Sequence, residues 1–471
     1  MLLFKYNTVR RMLFTVLAAV FVQRAEAQEQ IILSLDQAVS RAVSKNSQVR
    51  ASMFLAKQAE WDKANAWLQL MPSVSFNTRL TWIDDETYAL RDFRRYLPEP
   101  LKNEIPQTVF QTSYISSFDA TMPLFNPALF NNIAMADAGA EMARKNSESA
   151  RENIIFQVIS TYLNVLKSRA VLGLQQDYLE LSRKNYDKSM RLKQAGRYSK
   201  TEALRWKVDM EQQRSVVVTN ESMLRSHTTV LKRLLNLDME HTVSLKPQVP
   251  EQLAAETARI EAMSEQELLG MIRLSKQDLV KANAALAAAR ANTRTSKYVY
   301  RNSYARYLPS VSASYSYGWR ENDTPELDDY SPQTFMLTLN IPVFTGFQNL
   351  TSVKSSQNAY RASQEQFNDQ VQNTRYILTE SVNRILNLRT QKALAHTNAE
   401  FNRNNYRVVE QQWEKGRVSN IDYIDAKLNL QNAALNAVHT DYDLAAAVAE
   451  LYYLLGRVQS LYIPVKRASY K

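Results

Sequence analysis

Alternation of apolar and polar residues predicts four β-strands in this chain. Residues 73–82, SVSFNTRLTW, place Val, Phe, Leu and Trp on one side and Ser, Asn and Arg on the other. Residues 310–319 and 335–341 alternate in the same way, and residues 113–122 do so less regularly. Successive side chains of a strand point to opposite faces, so these segments predict a sheet with one apolar and one polar face.

Two stretches without proline predict very long helices. No proline occurs at positions 128–246 or 343–463, and proline breaks the interior of a helix. We predict helices over about residues 127–195 and 347–415, each roughly 100 Å long at 1.5 Å per residue. Shorter helices are expected before each strand pair and after each long helix.

The chain repeats itself once. AGRYS at residues 195–199 matches KGRVS 220 positions later, and the strand segment at 71–82 matches LPSVSASYSYGW 237 positions later. MPLFN at 122–126 matches IPVFT 219 positions later. Capping boxes that begin at Ser34 and Ser264 open the two copies. Each copy therefore contains a helix, two strands around a loop, a long helix, a glycine turn and a returning helix.

The repeat and the N-terminal sequence together divide the chain into five predicted segments. A first repeat at residues 28–236 and a second at 264–456 are joined by an irregular linker, 237–263, and followed by a C-terminal tail, 457–471. Residues 1–27 have a basic start, a short apolar core and an Ala-Glu-Ala ending, which is the pattern of a signal peptide. An N-terminal membrane anchor is the alternative, but eleven apolar residues are too few to span a bilayer.

The amino-acid composition excludes several classes of function. The chain has no cysteine, which excludes disulfides and cysteine metal sites. Outside the N-terminal segment, no run of 18 apolar residues occurs, so no transmembrane helix is predicted. The net charge of +11 is dispersed, so it does not indicate nucleic-acid binding. The four histidines are scattered without metal spacing, and no phosphate-binding glycine loop occurs. We expect no enzyme activity, no cofactor and no metal site.

The strands favour an outer-membrane barrel over a soluble sheet with one wet face. They are about ten residues long and alternate, as barrel strands do, and Trp82 and Trp319 lie at corresponding strand ends, where an aromatic girdle is expected. Four strands cannot close a barrel, and open edges are not tolerated in lipid. A spanning protein must therefore be an oligomer, either a dimer with eight strands or a trimer with twelve.

The second long helix is unusually polar. Residues 355–376 are rich in Gln, Asn and Ser, whereas a packed coiled coil has apolar residues throughout its a and d positions. A helical tube around water and a helix with one solvated side both explain this composition.

In the order and duplication of these motifs, the chain resembles the TolC-like outer-membrane efflux protein family. The resemblance covers the opening LSLDQAV, both strand pairs ending in Pro-Leu-Phe or Pro-Val-Phe, and both glycine turns. It implies a mainly α fold with a β-barrel part: a homotrimer whose twelve strands form an outer-membrane barrel, continued by a hollow α-helical barrel in the periplasm. It further implies that an adaptor protein and an inner-membrane transporter dock at the periplasmic tip, formed by the glycine turns.

The resemblance assigns roles to residues of the turns. Gly196, Arg197 and Gly416 are expected at the tip turns where the adaptor docks. Asp422 and Asp425, three residues apart on one helix face, are expected to form carboxylate rings at the periplasmic gate. Asp422 also has a local explanation, because it closes a capping box with Ser419.

A latch that holds the tip shut is also implied by the resemblance. Glu202 matches the acid of the first turn, and Trp413 occupies the aromatic position of the second. The basic residue of the family pattern is displaced, because Val418 occupies its place and Arg417 directly follows the glycine. We expect a contact between Glu202 and Arg417 to replace it.

A periplasmic coiled-coil adaptor without a pore is the alternative. It explains the long helices and glycine turns but leaves the two strand pairs unexplained. Within the exporter class, the exported substrate, whether drug, metal ion or protein, stays open. The loop at 84–107 is expected to face outside as a solvated surface of mixed charge.

Overall fold

The structure is a computed structural model that describes residues 31–321 and 332–462. The signal peptide predicted at 1–27 and residues 463–471 of the predicted tail lie outside the described residues. The chain divides into two compact units. One contains residues 31–53, 146–286 and 370–462, and the other contains residues 54–145, 287–321 and 332–369.

Helices dominate both units. In the first half of the chain the elements are β1 (Ile31–Leu33), α1 (Leu35–Lys45), α2 (Ser47–Leu68), β2 (Ser73–Trp82), α3 (Asp85–Arg91), α4 (Glu99–Glu104), β3 (Thr112–Phe125), α5 (Pro127–Gln194) and α6 (Lys200–Leu234). The second half contains β4 (Val243–Leu245), α7 (Glu251–Ala262), α8 (Glu265–Ile272), α9 (Lys276–Ala282), α10 (Ala284–Ala305), β5 (Ser310–Glu321), β6 (Gln333–Asn340), α11 (Gln348–Glu414) and α12 (Asn420–Leu454). The predicted limits of the two long helices, α5 and α11, are confirmed to within one residue.

Serine capping boxes begin four of the helices. Ser34, Ser199, Ser264 and Ser419 each accept a hydrogen bond from the backbone N–H of the third helical residue. The side chain of that third residue accepts a bond from the serine N–H in return. These reciprocal bonds satisfy N–H groups that have no partner within the helix, so they determine where the helix starts.

The four-stranded sheet of the second unit is antiparallel throughout, with the strand order β2-β3-β5-β6. One of its faces is apolar: Phe76 lies opposite Phe118, and Leu337 lies opposite Ala313. The other face is polar, where Asp119 lies opposite Ser75 and accepts hydrogen bonds from hydroxyl and amide groups. The predicted alternation is therefore confirmed in a single sheet.

Strand β3 is longer than predicted and contains a proline. The register between β3 and β5 shifts between Pro123 and Phe125, as in a β-bulge. Proline has no N–H to donate to a neighbouring strand, and a bulge is one of the few places in a sheet that tolerates this loss.

The first unit contains a helical core. Ile155, Ile159 and Leu166 of α5 are buried, together with Val382 of α11 and Val448 of α12. β1 pairs in parallel with β4, and the Tyr162 hydroxyl donates to the carbonyl of Leu33 at 3.3 Å. Long helices are held here by their apolar stripes, which supply most of the stability of helices in proteins.

The helix predicted before each strand pair is interrupted, which the sequence pattern did not predict. Asn46 ends α1, and its amide donates to the carbonyl of Leu234 at 3.0 Å. Asn283 ends α9, and its amide donates to the carbonyl of Leu454 at 3.3 Å. Each asparagine oxygen also caps the following helix. The two junctions are therefore built in the same way, by asparagines 237 positions apart.

The expectation of an irregular linker at residues 237–263 is wrong. This segment contains β4 and the three-turn helix α7, whose Leu253 and Ile260 are fully buried. The carbonyl of Met263 accepts a hydrogen bond from Arg389 at 2.6 Å. Contacts with residues that are distant in the sequence therefore stabilise this helix. Beyond it, Val458–Leu461 of the predicted tail form a short 3-10 helix.

The loop at residues 84–107 is folded. It contains α3, α4 and a 3-10 helix at Phe93–Tyr96. The Arg94 guanidinium donates two hydrogen bonds of 3.0 Å to the Asp92 carboxylate, and this side-chain hydrogen bonding lowers the pKa of Asp92.

Candidate functional site

Two helical hairpins of the first unit end in glycine turns at residues 195–199 and 415–419, which together are called the tip below. Gly196 and Gly416 have φ values of +70° and +71°. The N–H of the residue after each glycine reaches the carbonyl five residues earlier, at 2.9 Å in both turns. This is the Schellman arrangement, in which a left-handed residue, usually glycine, ends a helix.

The structure brings the two turns together at Asn420. Its Oδ1 atom accepts hydrogen bonds from the Trp413 indole at 2.7 Å and from the Tyr198 hydroxyl at 3.0 Å. Its amide lies 3.4 Å from Glu202 Oε1, a distance typical of a weak hydrogen bond. Asn420 is the first residue of α12, so one side chain joins the start of α12, the first turn and the end of α11.

The Trp413 ring that donates to Asn420 belongs to an aromatic cluster. The cluster consists of Trp206, Trp413 and Tyr423, whose ring centroids are 4.4 to 5.8 Å apart. Trp206 is fully buried, and Lys188 lies 4.1 Å from the centroid of the Trp413 ring, within the range of a cation–π contact. The cluster fixes the two hairpins against each other by burying large apolar surface.

Tyr406 extends the cluster with polar contacts. Its hydroxyl lies 2.6 Å from the Tyr423 hydroxyl and donates to Glu410 at 2.7 Å. Burial, together with these hydrogen bonds, raises the pKa of Tyr406, so it stays neutral under physiological conditions.

The two predicted gate aspartates occupy different environments. Asp422 is used locally, because its Oδ2 atom accepts from the N–H of Ser419 at 3.1 Å and from the Ser419 hydroxyl at 2.7 Å. Asp425 is exposed, and its Oδ2 atom accepts a hydrogen bond from Asn429 at 3.1 Å. Asp425 therefore has no capping role, and its carboxylate is exposed on the surface of α12.

Asp425 lies in a groove of about 510 Å³ between α6 and α12. Half of the residues that line this groove are leucine, isoleucine or valine, among them Leu204 and Ile421, each about half exposed. Arg205 and Asp209 also line it. The groove therefore combines apolar side chains with two acidic residues and one basic residue.

No ion pair joins Glu202 and Arg417 within the described part of the chain. The Glu202 carboxylate instead accepts a 2.8 Å hydrogen bond from the N–H of Ser199 and lies near the Asn420 amide. Trp413 also contacts Asn420. The predicted latch between Glu202 and Arg417 therefore stays a prediction.

Sequence reasoning missed Asn420, and it missed Lys427, which is buried against α5 and α6. Lys427 Nζ donates to Asp209 at 2.5 Å and to Ser182 at 2.9 Å. Burial lowers the pKa of Lys427, while the bond to Asp209 acts in the opposite direction. Nothing in the local sequence distinguishes a buried lysine from a solvated one.

Within 31–321 and 332–462, no helix is both long enough and apolar enough to cross a membrane. The same residues contain no group of three acidic, histidine or cysteine side chains arranged to hold a metal ion.

Comparisons with known proteins identify relatives of this chain. Residues 275–457 match the family model of the outer membrane efflux proteins. The outer membrane efflux protein BepC of Brucella suis biovar 1 (strain 1330) is 28% identical over 174 residues, which are 36% of this chain and 38% of BepC. The aligned segment thus spans well under half of that relative.

Solved structures share the fold over nearly the whole chain. The CmeC outer membrane channel of Campylobacter jejuni superimposes with a TM-score of 0.75 at 13% identity, covering 90% of this chain and 86% of CmeC. VceC of Vibrio cholerae gives a TM-score of 0.73 at 13% identity, with 90% and 96% covered. The open state of the MtrE channel of Neisseria gonorrhoeae gives 0.73 at 15% identity, with 90% and 89% covered.

The family match rests on the sequence, and the structural matches rest on the backbone geometry. The predicted resemblance to the TolC-like outer-membrane efflux protein family is therefore confirmed, in the sequence of residues 275–457 and in the fold of the chain.

Proposed function

We propose that this protein is the outer-membrane exit duct of a tripartite efflux or type I secretion system. Substrates from an inner-membrane transporter pass through it, across the periplasm, to the outside. The observation that carries the proposal is the four-stranded sheet, whose apolar face is exposed. Phe76, Leu80, Phe335 and Leu337 of that face are each more than half exposed, as expected of strands that face lipid.

The edges of the sheet support a trimer. β2 and β6 each have a single hydrogen-bonded neighbour among the described strands. In a bilayer, unpaired strand edges cost several kcal/mol per group, so the sheet must close through other copies of the chain. Three copies close a barrel of twelve strands whose polar face, with Asp119, lines the lumen.

We further propose that the chain arose by duplication. The first repeat is residues 28–236 and the second is 264–456, and residues 237–263 and 457–462 form a belt around the helical part. The matching junctions at Asn46 and Asn283 support this division. The helices α5, α6, α11 and α12 of three chains form a hollow periplasmic tube, and residues 1–27 direct export.

The tip is proposed to be the gate. Asp422 and Asp425 of three chains surround its constriction, where crowded carboxylates attract cations. Glu202 of one protomer contacts Arg417 of a neighbour and, with Trp413, holds the tip closed. Gly196, Arg197 and Gly416 form the surface on which a periplasmic adaptor docks. The protein conducts substrates but catalyses no reaction, and the proposed duct needs no cofactor and binds no nucleic acid.

Single-channel recording in a planar bilayer tests the function. The purified protein is expected to have the mass of three chains in detergent and to give a small, cation-selective conductance. The variant Asp422→Ala/Asp425→Ala is expected to lose that selectivity. The matched control is Glu60→Ala/Asp62→Ala, which removes two exposed charges from α2. A well-folded protein without any conductance would contradict the channel and favour a non-pore adaptor.

A further inference from the structure

Three buried polar side chains follow one another along one face of α12. Tyr423, Lys427 and Gln431 are spaced four residues apart, so they lie above one another on the helix. All three are buried, at 1%, 0% and 5% exposure. Each forms hydrogen bonds with other helices of the same unit, and together they are called the polar ladder below.

The middle rung is a buried ion pair. Lys427 of α12 donates to Asp209 of α6 at 2.5 Å and to Ser182 of α5 at 2.9 Å. Lys427 and Ser182 are inaccessible to solvent, and Asp209 is 8% exposed. One ammonium group therefore joins three helices.

The upper and lower rungs repeat this arrangement with neutral groups. The amide of Gln431 donates to Gln175 of α5 at 2.6 Å and to Gln213 of α6 at 2.9 Å. At the other end, the Tyr423 hydroxyl accepts from the Asn185 amide of α5 at 3.3 Å. Every rung connects α12 to α5, and two of the rungs connect it to α6.

A ladder of this kind fixes the position of a helix more strictly than apolar packing does. Apolar side chains slide past one another at modest cost, whereas sliding α12 by one residue would leave Lys427 and Asp209 buried without a partner. An unpaired buried charge is far more costly than an unpaired surface charge, because the low-dielectric interior does not solvate it. Buried polar groups are known to specify helix register for this reason.

We propose that the polar ladder makes α6 and α12 move as one body, so that the tip opens between protomers and not between these two helices within a protomer. This inference rests on the proposed function, because it concerns how the gate opens. It assigns Lys427 as a positioning residue: it holds the helix that carries Asp422 and Asp425. It also explains why Glu202 and Arg417 are unpaired within a protomer, since a gate contact then belongs at the boundary between copies.

A cross-link between α6 and α12 tests the inference directly. The chain has no cysteine, so Leu204→Cys/Ile421→Cys introduces one thiol on each wall of the groove that both residues line. A short bifunctional thiol reagent joins them, and single-channel recordings compare treated and untreated protein. The single variant Leu204→Cys, treated in the same way, controls for the reagent.

We expect the cross-linked channel to keep its conductance levels and its frequency of opening. Loss of channel opening only after cross-linking would overturn the inference, because it would show that α6 and α12 separate during opening. Absence of conductance in the untreated wild type would instead contradict the proposed function, so the two failures are distinguishable.

Replacement of the ion pair provides the second arm. Lys427→Met alone leaves a buried carboxylate unpaired and is expected to impair assembly. Lys427→Met/Asp209→Leu is expected to fold, since apolar pairs often replace buried ion pairs without loss of stability. In that double variant, we expect the channel to open about tenfold more often, because α12 is released.

Cross-linking 204 to 421 in the double variant is expected to restore the wild-type pattern. That rescue separates a positioning role from a general structural one, because a tether on the groove does not replace the buried contacts of Lys427. A double variant that folds and gates like the wild type would overturn the inference.

Discussion

The indole Nε1 atom of Trp413 lies 2.7 Å from Oδ1 of Asn420, across the glycine turn that separates α11 from α12. The same oxygen also accepts from Tyr198 of the other turn. Two donors on one carbonyl oxygen use its full accepting capacity. Asn420 therefore determines how the two turns are held together within a protomer.

Replacing Asn420 by alanine should loosen the tip. Asn420→Ala leaves the Trp413 and Tyr198 donors without their acceptor, which costs about 1 to 3 kcal/mol for a buried group. Faster hydrogen exchange at residues 405–425 is the expected measurement. Asn429→Ala removes an exposed asparagine that donates only to Asp425, so it should leave exchange unchanged. Equal exchange in both variants would contradict the role of Asn420.

The tip glycines should resist substitution for backbone reasons alone. At Gly416, an added Cβ atom meets nothing within 4 Å, yet φ is +71°. Gly416→Ala is therefore expected to destabilise the protein by about 1 to 2 kcal/mol through backbone strain. Gly173→Ala lies within helix α5, also with nothing within 4 Å, and should stabilise by up to about 1 kcal/mol. Thermal unfolding of both variants should show opposite signs, and a shift of the same sign would contradict the argument.

Asp425 should affect selectivity without affecting stability. Asp425→Asn removes an exposed charge and should lower the preference for cations while changing stability by less than about 0.5 kcal/mol. Asp422→Ala should lower both selectivity and stability, the latter by about 1 kcal/mol, because the capping box is lost. Reversal potentials and thermal unfolding separate the two effects. A stability loss in Asp425→Asn, or unchanged selectivity in both variants, would contradict these assignments.

The proposed latch should show coupling between Glu202 and Arg417. Glu202→Ala and Arg417→Ala should each raise the open probability of the channel, and the double variant should do so no more than either single variant. That non-additivity is the signature of a direct contact. Glu400→Ala, which removes an exposed acid of α11 farther from the turn, serves as the control. Additive effects of the two single variants would contradict the latch.

Stability should fall in alkaline solution because of buried tyrosines. Burial raises the pKa of Tyr162 from 10.0 to about 12. The folded state thus binds this proton more tightly, so its contribution is complete below about pH 10 and is lost as pH rises toward 12. A shift of two units corresponds to about 2.7 kcal/mol. Tyr162→Phe should reduce the decline in unfolding temperature between pH 9 and 11.5, and the exposed Tyr96→Phe should not.

Much of the fold follows from local patterns. The capping boxes at Ser199 and Ser419, the limits of α5 and α11 and the strand β2 were predicted from the sequence and are confirmed. These features depend on residues close together in the chain, because a cap bonds three positions away and strand alternation repeats every second residue. The interruptions at Asn46 and Asn283 escaped prediction because each depends on a carbonyl more than 150 residues away.

The same distinction between local and long-range contacts applies to the candidate site. Local sequence was enough to predict the turns at Gly196 and Gly416, the helix starts and the alternating strands, since backbone conformation and capping are properties of short segments. Contacts between distant parts of the chain explain why Asn420 joins the turns, why α7 folds at residues 251–262 and why Lys427 is buried beside Asp209. These outcomes depend on which distant groups meet in a low-dielectric interior, where an unpaired charge is costly and a partnered one determines the position of a helix.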